Sequence, residues 1–288
     1  MKVIIDTDIG DDIDDALALA LALNSPEIEV LAITTVYGRV NLRAKLAAKL
    51  LKACNRSDIP IAAGCSKPIL EPEPTHFPNQ AVALTEGEEY PNIAKEHAVN
   101  LIVNILEREK AVTIITLGPL TNIALALLLR KDVFKDKRLV IMGGCLTKPI
   151  AEYNVKCDPE AASIVLNSGL PITVVGLDVT LKCIMTTKML LSLKSSTRPY
   201  ADVLREYLRL WREHTNRQNP ILHDPLAVAV VTRPELVKRR RLCVDVELHG
   251  RHTRGLTMIK KNAAPNVEAC YDVAVEDFLR LYESRVLA

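Results

Sequence analysis

The sequence of 288 residues lacks an excess of one charge and lacks any long apolar run. Its 37 basic and 35 acidic residues give a net charge of +2, so no strong field would recruit nucleic acid or an anionic membrane. The longest uninterrupted apolar stretch, Ala16–Leu23, has eight residues, whereas a helix that crosses a bilayer needs about 20. Such a short helix, apolar on all sides, is typical of a buried position. We therefore expect neither a nucleic-acid partner nor a membrane partner.

The sequence predicts neither a signal peptide nor a cysteine framework. The apolar residues before the first aspartate, Val3 to Ile5, are too few for the hydrophobic region of a signal peptide. The seven cysteines are scattered without a CxxC pair, which favours reduced thiols in a cytoplasmic protein. No repeat or low-complexity linker divides the chain, and 49% hydrophobic residues supply a large core. We expect one domain over residues 1–288.

The most informative feature that is present is a cluster of acids, since six of the ten residues from Asp6 to Asp15 are aspartates. Two carboxylates about 4 Å apart repel by roughly 1 kcal/mol in water and about 4 kcal/mol at an effective dielectric of 20, so a compensating cation is expected. Asp14 or Asp15 could cap the following helix, but capping accounts for only one or two acids. Hard oxygen ligands favour Ca²⁺ or Mg²⁺ over Zn²⁺, and the spacing excludes an EF-hand.

Short β-branched runs alternate with longer helical patterns along the chain. The predicted strands are Val3–Ile5, Val30–Thr35, Val112–Thr116, Leu139–Met142 and Ile172–Val175. The predicted helices are Asp14–Leu23, Leu42–Cys54, Ile93–Lys110, Thr121–Leu129 and Pro159–Asn167. This alternation predicts an α/β fold with an open, mostly parallel, Rossmann-like sheet and helices on both faces. Polar or glycine-rich segments follow all five strands, and such sheets bind ligands at that edge.

Other segments carry weaker signals. The proline-rich segment Cys65–Asn92 predicts a long loop that could serve as a lid. The basic run Lys238–Arg241 is interpreted as a solvated surface turn. Helices are expected from Thr180 to about Asn216. The final part predicts short strands over Val244–Leu248, Leu256–Ile259 and Val267–Tyr271, followed by a helix from Val275 to about Ser284.

Three loop motifs have both a structural and a functional interpretation. In Thr116–Asn122 the turn could present a main-chain carbonyl to a ligand, or could simply open a helix. Glu152 and Asn154 could bind hydroxyl groups, or belong to an ordinary polar loop before the cap Asp158. In His223–Pro225, Asp224 and the proline can begin a helix. A lone histidine beside a cap is more often structural than catalytic, so this motif is weak by itself.

Together these motifs resemble the inosine–uridine nucleoside hydrolase family. Its N-terminal signature of spaced and paired aspartates around a glycine matches Asp6, Asp8, Gly10, Asp14 and Asp15. Further matches in the family's order are PEIEVLAITTVYG (26–38), IPIAAG (59–64), GPLTNIA (118–124), MGG (142–144), AEYNVKCDPEAA (151–162), GLDVT (176–180) and HDPLAVA (223–229). The resemblance implies hydrolysis of the N-glycosidic bond of small-molecule ribonucleosides to free base and ribose, a bound Ca²⁺, and a homodimer or homotetramer.

The resemblance also implies roles for individual residues. Asp8 would bind the metal and act as base toward a metal-bound water. The implied protein ligands of Ca²⁺ are Asp8, Asp15, the carbonyl of Leu117 and Asp224. The implied contacts of the ribose hydroxyls are Asp14, Glu152 and Asn154. His223 would protonate the departing base.

The chain departs from the family pattern in several places. Between Gly10 and the aspartate pair it has three residues instead of one, so Asp11 or Asp12 could replace a metal ligand. Arg39 stands where many members have Asn, so Asn41 or Arg39 could contact the sugar. The loop before Glu152 is short and lacks an Asn for the ribose 5′ position, which would allow tolerance there. The usual lid motif is absent, and His76 is the nearest substitute.

Base specificity rests on the single tryptophan. Trp211 lies upstream of His223, where family members place residues that contact the base, and stacking would suit a purine. The alternative is that Trp211 packs its helix onto the core.

Two other functions are open from the sequence. A haloacid dehalogenase-like phosphatase also has an Asp-x-Asp motif after its first strand, but Gly10 occupies the place of its required Thr or Val. A non-catalytic nucleoside-binding protein would keep the fold and lose Asp8 or His223, and both are present.

Overall fold

The computed structural model describes residues 1–288, and its centre is an eight-stranded sheet. The strands in chain order are β1 (Lys2–Thr7), β2 (Glu29–Thr35), β3 (Ile61–Ala63), β4 (Thr113–Thr116), β5 (Arg138–Met142), β6 (Ile172–Val175), β7 (Val237–Leu242), β8 (Val244–Val246), β9 (Thr257–Ile259) and β10 (Val267–Val273). The sheet order is β3-β2-β1-β4-β5-β6-β10-β7, and only the β10–β7 pair is antiparallel. Strands β8 and β9 form a separate antiparallel pair.

Eleven helices connect or flank the strands. They are α1 (Asp14–Leu23), α2 (Val40–Ala53), α3 (Ala98–Arg108), α4 (Thr121–Leu129), α5 (Tyr153–Cys157), α6 (Pro159–Leu166), α7 (Leu177–Thr180), α8 (Thr187–Ser195), α9 (Ala201–Thr215), α10 (His223–Thr232) and α11 (Val275–Tyr282). Short 3₁₀ turns cover Asn79–Ala83, Lys131–Phe134 and Pro234–Leu236, and a π turn covers Glu283–Leu287. None of the helices combines the length and hydrophobicity needed to span a membrane.

Each face of the sheet has its own apolar core. Alternate residues of β1 point to opposite faces, so Val3 and Ile5 join the larger core while Ile4 joins the smaller one. Helices α1, α2, α9 and α10 cover the first face, and α3, α4 and α6 cover the second. The predicted α/β fold with a mostly parallel sheet covered on both faces is therefore confirmed.

The predicted strands and most predicted helices match the structure, including α1, which is buried along nearly its whole length. One helix boundary was wrong, because α3 begins at Ala98 and not at Ile93. The imidazole of His97 caps this helix by accepting from the amide of Val99 at 3.3 Å. Upstream, Ile93 pairs with Ile61 in an isolated parallel bridge, which holds that segment extended.

The interpretation of Lys238–Arg241 as a surface turn was also wrong, since these residues lie in β7 at the edge of the sheet. Basic side chains on an edge strand stay solvated and discourage pairing with another strand. Two of them form ion pairs with β10: Lys238 Nζ lies 3.1 Å from Asp272 and Arg239 Nη1 lies 2.9 Å from Glu268. The run thus pairs with acids of its neighbouring strand.

The proline-rich segment Cys65–Asn92 is a loop whose only helical part is the turn Asn79–Ala83. That turn packs against α9. All seven cysteines are free, as expected from their spacing.

Candidate active site

Three buried carboxylates meet at the carboxyl edge of the sheet. Asp14 and Asp15 lie in the first turn of α1, and Asp224 lies in the first turn of α10, which packs against α1. One carboxylate oxygen from each lies within 4.8 Å of the other two, and the three residues are only 3–4% exposed. We call these three residues the acid triad. It joins two motifs that are about 210 residues apart in the chain.

The acid triad has few partners to balance its charge. Thr7 Oγ1 donates to Asp15 Oδ1, and the amide of Asp224 donates to Asp14 Oδ2 at 3.2 Å. No Lys, Arg or His side chain forms an ion pair with any of the three carboxylates. Burial and mutual repulsion raise the pKa of each well above its usual range. An all-oxygen donor set with uncompensated charge fits a hard divalent cation.

No carboxylate of the triad caps its own helix. The residue before α1 is Ile13, and no side chain caps that helix. In α10 the capping position is Leu222, and Asp224 lies inside the first turn. The alternative that Asp14, Asp15 or Asp224 serves as a cap is therefore wrong, and their carboxylates remain available to a ligand.

Asp8 lies next to the triad, directly after the last residue of β1. Its Oδ1 packs against Gly118, where an added Cβ would lie only 2.8 Å from that oxygen. Burial raises the pKa of Asp8 to about 7, against the opposing charge of Arg43, and the negative charge of Asp8 in turn raises the pKa of Asp15. No side chain hydrogen-bonds to its carboxylate oxygens, since Arg43 donates to the main-chain carbonyls of Asp8 and Ile9. Asp8 is close to the triad but outside the group within 4.8 Å.

The main-chain carbonyl of Leu117 has a partner in the structure. Asn154 Nδ2 donates to it at 2.7 Å and also to the carbonyl of Met142 at 3.2 Å. A carbonyl oxygen has two lone pairs, so one remains for a cation. Asn154 therefore ties the ends of β4 and β5 together beneath the site.

Glu152 is the capping residue of α5. Its Oε1 accepts from the amide of Asn154 at 2.9 Å, and its Oε2 accepts from the amides of Gly144 at 3.0 Å and Val155 at 3.2 Å. These bonds fix the carboxylate, while burial raises its pKa overall. Asp158, the expected cap of the next helix, accepts from the amide of Ala161 at 3.1 Å.

His223 is the first residue of α10 and therefore adjoins the triad through Asp224. Its Nδ1 lies 2.7 Å from Thr180 Oγ1, and its Nε2 has no protein partner. Burial, assisted by the nearby charge of Arg217, lowers the pKa of His223 to about 4, so the resting imidazole is neutral. The tautomer that accepts at Nδ1 carries its N–H at Nε2.

The other predicted site residues form no hydrogen bond with the acid triad. Trp211 is 1% exposed within the larger core, and this burial agrees with the alternative that it packs α9. Asn41 is exposed in the first turn of α2, and Arg39 is exposed just before that helix. No hydrogen bond connects Asn41 or Arg39 to the acids.

The remaining aspartates have separate partners. Asp6 Oδ1 accepts from Thr34 Oγ1 at 2.5 Å and from Asn122 Nδ2 at 2.8 Å. Asp11 forms an ion pair with Arg43, and Asp12 accepts from the amide of Ile13 at 2.7 Å. Neither Asp11 nor Asp12 belongs to the acid triad.

Sequence reasoning missed Arg43, Tyr37 and Tyr153. Arg43 lies on the buried stripe of α2 with Ala47 and Leu50, and this spacing was the available signal. The rings of Tyr37 and Tyr153 meet edge to face at 6.2 Å. Their proximity depends on tertiary structure, since they follow different strands.

Comparison with known proteins shows the family of the chain. The family model for inosine-uridine preferring nucleoside hydrolases matches residues 3–280. The chain belongs to this family. A relative from Crithidia fasciculata, named inosine-uridine preferring nucleoside hydrolase, is 36% identical over 98% of this chain and 95% of its own length. The pyrimidine-specific ribonucleoside hydrolase RihA of Escherichia coli is 32% identical over 99% of this chain and 98% of its own length.

Solved structures give the same assignment. A plant nucleoside hydrolase superposes with a TM-score of 0.87 at 29% identity, covering 100% of this chain and 99% of that chain. Because nearly the whole length is shared, the nucleoside hydrolase architecture includes the elements that carry the acid triad.

Proposed function

We propose that the chain, acting as one domain, hydrolyses the N-glycosidic bond of ribonucleosides to a free base and ribose. The observation that carries the proposal is the acid triad beside Asp8, buried and without an ion-pair partner, in a chain of the nucleoside hydrolase family. Breaking a ribosyl bond builds positive charge on the sugar, and nearby carboxylates stabilise that charge.

We infer that the cation is Ca²⁺, with Asp8, Asp15, the carbonyl of Leu117 and Asp224 as its protein ligands. Ca²⁺ accepts six to eight oxygens, so protein ligands, two ribose hydroxyls and a water fit around one ion. When bound, the ion would orient that water and make it easier to deprotonate. Asp14 belongs to the same triad, and we assign it to a ribose hydroxyl with Glu152 and Asn154.

Asp8 is proposed as the base. No side chain donates to its carboxylate oxygens, so they have lone pairs available to take a proton. As the water oxygen bonds to the sugar C1′, its proton passes to Asp8, and the electron pair of the C1′–N bond leaves with the base. Gly118 gives this carboxylate the space it occupies, because any side chain there would collide with Oδ1.

His223 is proposed to donate a proton to the departing base. Its Nε2 is free while Thr180 holds Nδ1, so the ring is oriented before substrate binds. Because its pKa is about 4, the ring is neutral at rest, and it takes up a proton from solvent as negative charge develops on the base. The ring then passes its Nε2 proton to the departing base and returns to the neutral form, while Asp8 releases the proton of the water to solvent. Leaving-group protonation of this kind contributes about 10²- to 10⁴-fold.

A panel of substrates tests the function. The protein is incubated with inosine, adenosine, guanosine, uridine and cytidine, and the free base and the reducing sugar are both measured. We expect equal amounts of base and ribose from at least one nucleoside. A phosphate ester offered with Mg²⁺ is the control for the phosphatase alternative. Binding of nucleosides without release of base, or phosphate release alone, would contradict the proposal.

The two relatives are named for different base preferences, so the base preferred by this chain is read from the panel. A homodimer or homotetramer and a cytoplasmic location are part of the proposal. The free state of the seven cysteines supports a reducing compartment.

A further inference from the structure

A fully buried guanidinium lies behind the loop that carries Asp8. The Arg43 side chain is 0% exposed and donates to four oxygens. Its Nε donates to the carbonyl of Tyr37 at 2.7 Å, and its Nη1 donates to the carbonyls of Asp8 and of Ile9, the latter at 3.0 Å. Its Nη2 donates to Asp11 Oδ2 at 2.8 Å. The planar fork of an arginine suits such a set of fixed acceptors.

Only one of these four acceptors carries charge. Burying a cation costs free energy unless it is paired, and Asp11 is the carboxylate that bonds directly to Arg43. The other three bonds fix main-chain carbonyls, two of them in the loop between β1 and α1. Arg43 therefore determines the path of the main chain at Asp8, and Asp11 keeps Arg43 in place.

The same loop is also bonded to the proline-rich segment. His76 Nε2 lies 2.9 Å from Asp11 Oδ2, and Asn79 Nδ2 donates to the carbonyl of Asp11 at 2.7 Å. Gln80, which is completely buried, donates from Nε2 to the carbonyl of Asp12 at 2.7 Å and from its amide to Gly10 at 2.9 Å. Three residues of the segment His76–Gln80, namely His76, Asn79 and Gln80, thus hydrogen-bond to the loop.

The approach of the two segments is close enough to require a glycine. Gly10 has φ +131°, and an added Cβ would lie 2.8 Å from Pro78 Cβ and 2.9 Å from Leu46 Cδ1. The loop and the segment His76–Gln80 therefore pack without a side chain between them.

We propose that Arg43 and Asp11 are positioning residues, whose ion pair fixes the loop Asp8–Asp12 against the segment His76–Gln80 and so aims the Asp8 carboxylate. This inference rests on the proposed role of Asp8 as base. In this role Arg43 and Asp11 act through the main chain of the loop and not by contact with the substrate. Misplacing a reacting group by about 1 Å can reduce turnover 10²-fold, so the effect is expected in kcat.

The test compares Asp11→Asn with a matched control, Glu27→Gln. Glu27 accepts from Arg285 at 2.6 and 2.7 Å, and its side chain is 31% exposed, against 30% for Asp11. Glu27 precedes β2, at the end of the sheet opposite the site. We expect Asp11→Asn to lower kcat about tenfold or more with KM changed less than about threefold, and Glu27→Gln to leave both within about twofold. Arg43→Lys keeps the positive charge but loses the planar set of guanidinium donors, so it should also have a lower kcat than the unaltered protein.

Hydrogen exchange of the Gln80 amide gives a readout that does not depend on catalysis. We expect its exchange to be about tenfold faster in Asp11→Asn and unchanged in Glu27→Gln. His76→Ala is the second variant, to be used if Asp11→Asn does not fold. It removes only the half-exposed partner of Asp11 and should also speed the exchange of the Gln80 amide.

The outcomes separate the two proposals. Near-normal kcat in folded Asp11→Asn, equal losses in Asp11→Asn and Glu27→Gln, or unchanged Gln80 exchange would overturn the positioning role. If the unaltered protein releases no base from any nucleoside, the proposed function fails. In that case the hydrogen exchange of the Gln80 amide is the measurement that decides whether Asp11 fixes the loop Asp8–Asp12 against the segment His76–Gln80.

Discussion

Replacing Asp224 by Asn should stabilise the metal-free protein. The Asp224 carboxylate accepts no hydrogen bond from the protein, so neutralising it removes repulsion from Asp14 and Asp15 and breaks no contact. Two charges 4.8 Å apart repel by about 3.5 kcal/mol at an effective dielectric of about 20. Asp224 forms two such pairs, and their summed repulsion exceeds the free energy needed to protonate one carboxylate. That free energy is about 4.4 kcal/mol at pH 7 for a carboxyl of ordinary pKa 3.8.

The free energy of protonation sets an upper limit to the stability gained by Asp224→Asn, because the unaltered protein can relieve its repulsion by taking up a proton. We therefore expect Asp224→Asn to raise the free energy of unfolding by about 2 to 4 kcal/mol at pH 7. The raised pKa of the triad means that the folded state binds more protons than the unfolded state, so its stability increases as the pH falls. At pH 5 the free energy of protonation is only about 1.6 kcal/mol, so the advantage of the variant should shrink accordingly.

Thermal unfolding in a chelator provides the assay. For a chain of this size about 2 °C corresponds to 1 kcal/mol, so Asp224→Asn should melt about 4 to 8 °C above the unaltered protein at pH 7. Added Ca²⁺ should then raise the melting temperature of the unaltered protein more than that of the variant, since the variant has lost a ligand. Glu27→Gln is the control for removing a carboxylate elsewhere.

A lower melting temperature of Asp224→Asn in the chelator would refute the reasoning. It would mean that the triad is not strained in the absence of a cation. An advantage that grows as the pH falls would contradict the assigned origin in charge repulsion.

Three further predictions follow from the same contacts. Asp8→Asn should abolish turnover while leaving the melting temperature in chelator equal or higher, and near-normal ribose release would refute the role of Asp8 as base. His223→Ala should lose about 10²- to 10⁴-fold on inosine but less on a p-nitrophenyl riboside, whose leaving group needs no proton; equal losses would contradict the acid role. The Arg285 hydrogen bonds lower the pKa of Glu27 from 4.5 to about 2, so Glu27→Gln should lose about 1 kcal/mol of stability above pH 4.5, after allowing for solvent screening. That difference in stability should vanish as the pH falls toward 2. If Glu27→Gln were destabilised by the same amount at pH 7 and at pH 2.5, the ion pair would be excluded as the cause.

The parts of the site with local signals could be predicted from the sequence. Asp14 and Asp15 precede an apolar helix pattern and Asp224 precedes another, so their places at helix starts follow from neighbouring residues. The edge of the sheet at which these starts meet follows from the alternation of strands and helices. Their convergence within 4.8 Å depends on the packing of α1 against α10, which no local pattern encodes.

The sequence left open which polar or aromatic side chains lie on the buried side of a helix. Arg43 and Asn41 lie two residues apart on α2, yet one is completely buried and the other is exposed. Trp211 lies on the buried side of α9, so its indole belongs to the core. The basic run in β7 becomes a strand because β10 offers an antiparallel edge about 30 residues later in the chain. Local composition favours a turn there, and the tertiary pairing overrides it.

Calcium titration of the metal-free protein by calorimetry tests the central claim most directly. We predict one tight Ca²⁺ site per chain in the unaltered protein and in Glu27→Gln, and loss of that site in Asp15→Asn. Absence of calcium binding to the folded, unaltered protein, or an affinity that Asp15→Asn leaves unchanged, would contradict the assignment of the acid triad as the metal centre.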